Sequence, residues 1–235
     1  MSTDEAKNAI FDSIRRNLAA SRPFDAVHCE SHEPAAPPPT PPRAAFSNEL
    51  LIENFRDNFE FVGGKLRVVA DEPAAAAALL AIIKEIKAEK IAVSDAPLVE
   101  SVTGSLKNEA EFVENAPREF LFESDLGITS AQWAIAETGT LVLESDAERH
   151  RLTSLVPPVH ICLLEAKNLR QTLGEVLELL QKNPSRAVTF ITGASRTSDI
   201  ELTLAIGVHG PGEVYVILIS DFGFRISDLE AGDGP

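Results

Sequence analysis

The chain has few cysteines and no long apolar run, the features that mark disulfide-rich, metal-binding and membrane proteins. It contains two cysteines, Cys29 and Cys162, in 235 residues, which suggests neither a disulfide framework nor a metal-binding cluster. No apolar run approaches the roughly 20 residues that a membrane-spanning helix needs. The N-terminus also lacks the apolar core of a signal peptide. We therefore expect a cytoplasmic protein with two reduced thiols and no membrane partner.

Basic residues are also scarce, because 21 Lys and Arg face 36 Asp and Glu and give a formal net charge of -15 at pH 7. Nucleic acids and anionic membranes are bound mainly through basic surface, so this balance argues against both as partners. A small anionic ligand is not excluded, since one local arginine can bind it. The length suffices for one sizeable domain with an appendage.

Two segments precede the main domain. An amphipathic helix is predicted over residues 1–20, because four apolar residues recur there at helical spacing: Ile10, Phe11, Ile14 and Leu18. Residues 21–45 are predicted to be an extended linker, since six of the fifteen prolines lie between residues 34 and 42. Two interpretations of the helix stay open, packing on its own domain and docking to a partner.

Helices and strands alternate from residue 46 to residue 222, and residues 223–235 are predicted to be a C-terminal tail. The pattern predicts helices at 46–61, 73–87, 96–106, 169–180 and 199–206. It predicts strands at 66–70, 91–93, 120–122, 128–129, 133–136, 140–143, 159–164, 188–192 and 214–219. This alternation is typical of an α/β domain with a mostly parallel sheet covered by helices.

Four short motifs rich in polar residues, glycine and proline lie in the last hundred residues. They are Ala-Ile-Ala-Glu-Thr-Gly-Thr-Leu-Val-Leu (134–143, the first motif), Ser-Leu-Val-Pro-Pro-Val-His (154–160, the second), Gly-Ala-Ser-Arg-Thr-Ser-Asp-Ile-Glu (193–201, the third) and Gly-Val-His-Gly-Pro (207–211, the fourth). Loops beside apolar strands carry the functional site in most α/β domains. We therefore expect the chemistry of the protein in these four motifs.

Glu137 is the candidate catalytic residue of the first motif. It stands in a predicted tight turn between two apolar strands, where desolvation would raise its pKa and make it a general base or a nucleophile. The alternative is a solvated turn residue. Thr138 and Thr140 are candidate hydrogen-bond donors to a ligand, and Gly139 either lets backbone amides approach that ligand or completes the turn.

The third motif is the best candidate for an anion site. It follows a strand and precedes a predicted helix, an order that directs free backbone amides and the positive helix end at a bound anion. Arg196 would bind an anion, either a small carboxylate or a phosphate, in a bidentate manner. The remaining candidate ligand-binding residues of this motif are Ser195, Thr197, Asp199 and Glu201. Helix capping alone would also explain the hydroxyls, but not the arginine.

Two histidines complete the set of candidates. His209 lies in the glycine-containing fourth motif, beside the candidate binding residue Gly210, and is a candidate for proton transfer near neutral pH. His160 is a weaker candidate, predicted to be a half-buried structural residue. No spacing of these residues matches a known metal motif, so no metal is predicted.

In this order, the four motifs resemble the lactate-utilisation (LUD) domain family, and the length and layout resemble its lactate utilisation protein C branch. The resemblance covers residues 46–220 and is closest between residues 125 and 212. It implies a Rossmann-like layered fold akin to coenzyme A transferases and formyltetrahydrofolate cyclo-ligase. It also implies a share in oxidising L-lactate to pyruvate together with iron–sulfur partner subunits.

The chain itself has no cysteine cluster and no Gly-x-Gly-x-x-Gly fingerprint, so no cofactor is predicted in it. At most it is then a subunit of a lactate-oxidising complex that binds the hydroxy acid or organises the assembly. The alternatives are a stand-alone transferase or ligase acting on an acyl-coenzyme A or nucleotide substrate, and a regulatory binding domain without catalysis. The oligomeric state stays open.

Overall fold

The computed structural model describes residues 3–20, 46–147, 151–197, 205–206 and 210–220. The chain divides into two compact units between residues 44 and 45. In the first unit, helix α1 spans Thr3–Ala20 and confirms the predicted helix. Its apolar side chains Ile10, Phe11 and Ile14 are exposed. No helix among the described residues has both the length and the apolar character needed to cross a bilayer.

The second unit contains five helices and twelve strands among its described residues. The helices are α2 Asn48–Phe61, α3 Glu72–Ile86, α4 Pro97–Gly104, α5 Arg118–Glu123 and α6 Leu173–Lys182, with a 3-10 turn at Arg151–Ser154. The strands are β1 Lys65–Val69, β2 Ile91–Val93, β3 Phe112–Glu114, β4 Leu126–Ser130, β5 Trp133–Ile135, β6 Thr140–Glu144, β7 Val159–Glu165, β8 Leu169–Arg170, β9 Val188–Ile191, β10 Arg196–Thr197, β11 Ala205–Ile206 and β12 Glu213–Ile219.

Six of these strands form a parallel sheet in the order β1-β12-β7-β4-β2-β3. The α/β class and the mostly parallel sheet are therefore confirmed. A second, mixed sheet has the order β8-β5-β6-β9, and β10 pairs with β11 in an antiparallel ladder. The parallel strands are nearly continuous apolar runs because both faces of this sheet are covered.

Successive side chains of β7 point into two different cores, as the alternation of a strand requires. Ile161 and Leu163 belong to the core on the side of α3 and α4. Cys162 and Leu164 belong to the core shared with α2 and the second sheet. There, Phe55 of α2 stacks on a neighbouring phenylalanine with ring centroids 5.4 Å apart. The second sheet thus packs with α2 against the parallel sheet, and its turns lie beside that helix.

Several predicted elements are wrong. The strand at 120–122 is part of helix α5, and the helix at 169–180 begins with strand β8, which pairs with β5. The helix at 199–206 ends instead in strand β11, although most of that segment lies outside the described residues. The predicted strand at 188–192 is confirmed as β9, which belongs to the second sheet, whereas β3 was not predicted.

Candidate functional site

Hydrogen bonds between residues within or directly beside the four motifs join them. Thr140 of the first motif is 2.8 Å, between Oγ1 atoms, from Thr192, which directly precedes the third motif. The amide of Ser195 donates to the carbonyl of Pro211 at 2.9 Å and so links the third motif to the fourth. The amide of Gly212 donates to the carbonyl of Pro158 at 2.9 Å and continues the chain of contacts to the second motif.

The second and fourth motifs lie at the amino ends of the parallel strands β7 and β12, since the second runs into the first two residues of β7 and the fourth ends two residues before β12 begins. Gly210 packs on the third motif, because a Cβ added to it would lie 3.2 Å from the Cβ of Ser195. The sequence predicted that these motifs share a site, and the structure brings them into one contiguous region, which we call the motif cluster.

The first motif is a hairpin turn between β5 and β6, as predicted. Gly139 has φ +62°, and an added Cβ would lie 2.4 Å from the amide nitrogen of Phe59 in α2. The Nδ2 of Asn58 donates to the carbonyl of Ala136 at 2.9 Å. Glycine is therefore required here because the turn presses on the last residues of α2, a contact that accounts for this position without a ligand.

The predicted desolvation of Glu137 is wrong, because its side chain is exposed. Its Oε1 accepts a hydrogen bond of 2.8 Å from the amide of Leu173, the first residue of α6. Thr172 caps the same helix by accepting from the amide of Glu175 at 3.3 Å. A carboxylate is favourable at this positive helix end, so Glu137 has a structural partner and remains accessible to solvent.

Three threonine hydroxyls form a hydrogen-bonded chain. The Oγ1 atoms of Thr138 and Thr140 are 2.7 Å apart, and the next contact reaches Thr192. Thr140 is buried, whereas Thr138 and Thr192 are exposed. Because a hydroxyl has one donor and two acceptor sites, the two outer hydroxyls keep sites that a ligand can use.

Arg196 is anchored to the end of α2. Its Nη2 donates to the carbonyl of Val62 at 2.8 Å, where a cation is favoured by the negative helix end. Gly193 is close to the same point, since its added Cβ would lie 2.6 Å from that carbonyl. The contact uses one of the five guanidinium N–H donors. The exposed side chain can therefore bind an anion while it stays held.

His160 is fully buried, so the predicted half-burial is wrong. Its Nε2 lies 2.8 Å from Thr129 Oγ1, and its Nδ1 has no hydrogen-bond partner among the described residues. Burial lowers the pKa of the imidazole from 6.5 to about 3, because the charged form would lose its hydration. The ring is therefore neutral at physiological pH and belongs to the core.

Three predicted site residues, Asp199, Glu201 and His209, lie outside the described residues, as does the side chain of Thr197. In the part of the chain that is described, no group of three or more His, Cys, Asp or Glu is arranged to hold a metal ion. Sequence reasoning missed Thr192 and Asn58. No motif marks either residue, and only their contacts place them at the motif cluster.

Residues 52–219 match the LUD domain family. Lactate utilization protein C of Deinococcus radiodurans is 31% identical over 93% of this chain and 97% of its own length. An uncharacterized protein, NMB1437, of Neisseria meningitidis is 40% identical over 48% of this chain, and lactate utilization protein C of Bacillus subtilis is 33% identical over 42%. These two matches span 49% and 44% of the relatives' lengths.

The crystal structure of a DUF162 family protein from Deinococcus radiodurans superposes with a TM-score of 0.59. It is 20% identical in sequence and covers 75% of this chain and all of its own. At this identity the likeness concerns the fold, and it agrees with the α/β architecture described above.

Proposed function

The chain belongs to the LUD-domain family, and from this premise we propose that it acts in lactate utilisation. Its share is to bind the hydroxy acid, or to organise the assembly, beside iron–sulfur partner subunits. With two cysteines this sequence does not supply the thiolates that an iron–sulfur cluster requires. We therefore assign electron transfer to the partners.

The observation that carries the proposal is the motif cluster, in which Gly139 of the first motif and Arg196 of the third both contact the end of α2. The anchored guanidinium of Arg196 supplies charge-assisted donors for a carboxylate, and the exposed hydroxyls of Thr138 and Thr192 supply neutral hydrogen-bonding groups. Among the residues that the structure describes, Glu137 is the candidate for accepting a proton from the substrate hydroxyl, because its carboxylate is held in place and accessible.

A thermal-shift experiment tests the binding role. L-lactate at about 100 times its dissociation constant should stabilise the fold by about 2.7 kcal/mol, and Arg196→Ala should abolish the shift measured from its own baseline. Arg118→Ala is the matched control, since Arg118 is an arginine on α5 that contacts Phe122 instead. A lactate shift that survives Arg196→Ala would contradict the assigned site.

A turnover assay tests the division of labour. We expect no lactate oxidation by the isolated chain and activity on reconstitution with cysteine-rich partner subunits. Oxidation by the isolated chain would overturn this assignment. Stabilisation by coenzyme A or ATP at the motif cluster, with none by lactate, would instead support the transferase or ligase alternative. Glu137→Gln then separates a chemical role from a structural one, because it keeps an oxygen that can accept from Leu173.

A further inference from the structure

In the parallel sheet, the chain connections that leave β2 and β4 run in opposite directions across the sheet. From β2 the chain passes through α4 to β3 on one side, whereas from β4 it passes to β7 on the other side. Strands β2 and β4 pair directly, so they flank a topological switch point. In open α/β sheets, ligands bind in the crevice outside the carboxyl ends of the strands at such a point.

A cavity of about 380 Å³ lies at this place, and we call it the switch-point crevice. Pro97 and Leu98, at the start of α4, line one part of it. The segment that follows β4, including Gln132 and Trp133, lines another, and Glu165 lines it from the end of β7. The volume falls within the range of small-molecule and cofactor sites.

Trp133 is held in a fixed orientation in the wall of the crevice. Its Nε1 donates to Glu144 Oε1 at 2.9 Å, and the Arg170 guanidinium lies 4.6 Å from the ring centroid. Such a ring, together with Leu98 and Pro97, offers an apolar surface for a flat or puckered ligand ring.

The polar lining is rich in hydrogen-bond acceptors. Glu144 lines the crevice from the end of β6 and accepts from Trp133 and from Ser185 Oγ at 2.7 Å. Glu165 pairs with Lys167 at 2.6 Å. A carboxylate has about four lone-pair sites, so both side chains keep acceptor capacity. Two carboxylates disfavour an anionic group beside them and favour a ligand that donates hydroxyl protons.

We propose that the switch-point crevice binds a ligand with vicinal hydroxyls, either the ribose of a nucleoside or a free sugar. The hydroxyls donate to Glu165 and Glu144, and the ligand ring lies against Trp133. This site is separate from the motif cluster, because none of its lining residues belongs to the four motifs. The inference therefore does not depend on lactate binding.

A thermal-shift and titration series on the full chain tests this site with adenosine, AMP, NAD⁺, ribose and glucose. A ligand at about 100 times its dissociation constant should raise the melting temperature by about 5 °C or more. Glu165→Gln should weaken binding about tenfold by removing a charged acceptor. Leu98→Trp should abolish binding by filling the crevice, whereas Arg196→Ala should leave it unchanged.

A nucleoside shift with none from the free sugars identifies ribose as the source of the diol, and the opposite result identifies a sugar. 2′,3′-Dideoxyadenosine is the matched probe, because it keeps the base and lacks the diol. If adenosine binds, equal binding of this probe would overturn the proposal. A shift that survives Leu98→Trp, or the absence of a shift with every diol, would also overturn it. Since Arg196→Ala reports on the motif cluster alone, either proposal can fail without the other.

Discussion

Acidification should destabilise the protein through His160, whose pKa falls from 6.5 to about 3 on burial. Between these two values the unfolded chain binds a proton that the folded chain does not. The contribution of His160 to the free energy of unfolding is therefore fully present above the unfolded pKa of 6.5. It is lost as the pH falls from 6.5 towards 3. The whole window is worth about 5 kcal/mol, and about 2 kcal/mol of it should be lost on acidification to about pH 5.

Urea denaturation of the wild type and of His160→Gln at about pH 7.5 and pH 5 measures this contribution. Glutamine cannot be protonated in this range and can still hydrogen-bond to Thr129. Other titrating groups affect both proteins alike and cancel in the comparison. The stability of the wild type should thus fall by about 2 kcal/mol more than that of the variant. Equal losses would refute the argument that burial keeps this imidazole neutral.

If the variant does not fold, the ¹³C-labelled histidine signals of the wild type provide a second measurement. The resonance of His160 should keep its neutral chemical shift down to about pH 5, where a histidine with an ordinary pKa is largely protonated. A midpoint near 6.5 for this ring would contradict the burial that the structure shows.

Two further predictions concern the first motif. Gly139→Ala should lower the free energy of unfolding by about 2–4 kcal/mol, since the new Cβ would meet the α2 backbone at a positive φ; Gly104→Ala, a control with open space around it, should raise it by up to about 1 kcal/mol in denaturant titrations. Thr140→Val should lower the free energy of unfolding by about 1–2 kcal/mol because it deprives Thr138 and Thr192 of a hydrogen-bond partner. An unchanged denaturation midpoint would show that the hydroxyl chain does not stabilise the fold.

The sequence predicted the elements with strong periodicity and failed where short segments depend on their neighbours. Strand 91–93 and helix α3 follow from continuous apolar patterns and a proline in the first turn. Residues 120–122 are also apolar, but so short a run does not distinguish a strand from a turn of helix. In α5 only Leu121 is buried. Packing of this one side chain, which the local sequence does not reveal, therefore goes with a helix instead of a strand.

The helix predicted at 169–180 was placed too early, although the sequence contains a signal for its start. Thr172 and Glu175 have the spacing of a capping box, and Thr172 accepts from the amide of Glu175. The Glu175 carboxylate accepts from the amide of Gln171, the residue before the cap, at 3.1 Å. That spacing places the helix start after residue 171 and frees Leu169 and Arg170 to pair with β5. The second sheet could not be predicted in the same way, because the partner of β9 is set by tertiary packing.

For the site, the sequence identified which segments matter, whereas the contacts among them came from the fold. Nothing in the local pattern shows that Arg196 reaches the carbonyl of Val62, because these residues are 134 positions apart. The exposure of Glu137 was likewise unpredictable, since the turn fits equally well with its side chain directed inward or outward.

Strand β7 sets a separation between the two candidate sites. Val159, in the second motif, begins this seven-residue strand, and Glu165 ends it. At about 3.3 Å per residue these ends are roughly 20 Å apart, and Thr140 and Glu144 at the two ends of β6 are roughly 13 Å apart. Both distances are longer than lactate or a ribose ring. Ligands at the two ends can therefore occupy the protein together, and any influence of one on the other must pass through the backbone and packed side chains of the sheet.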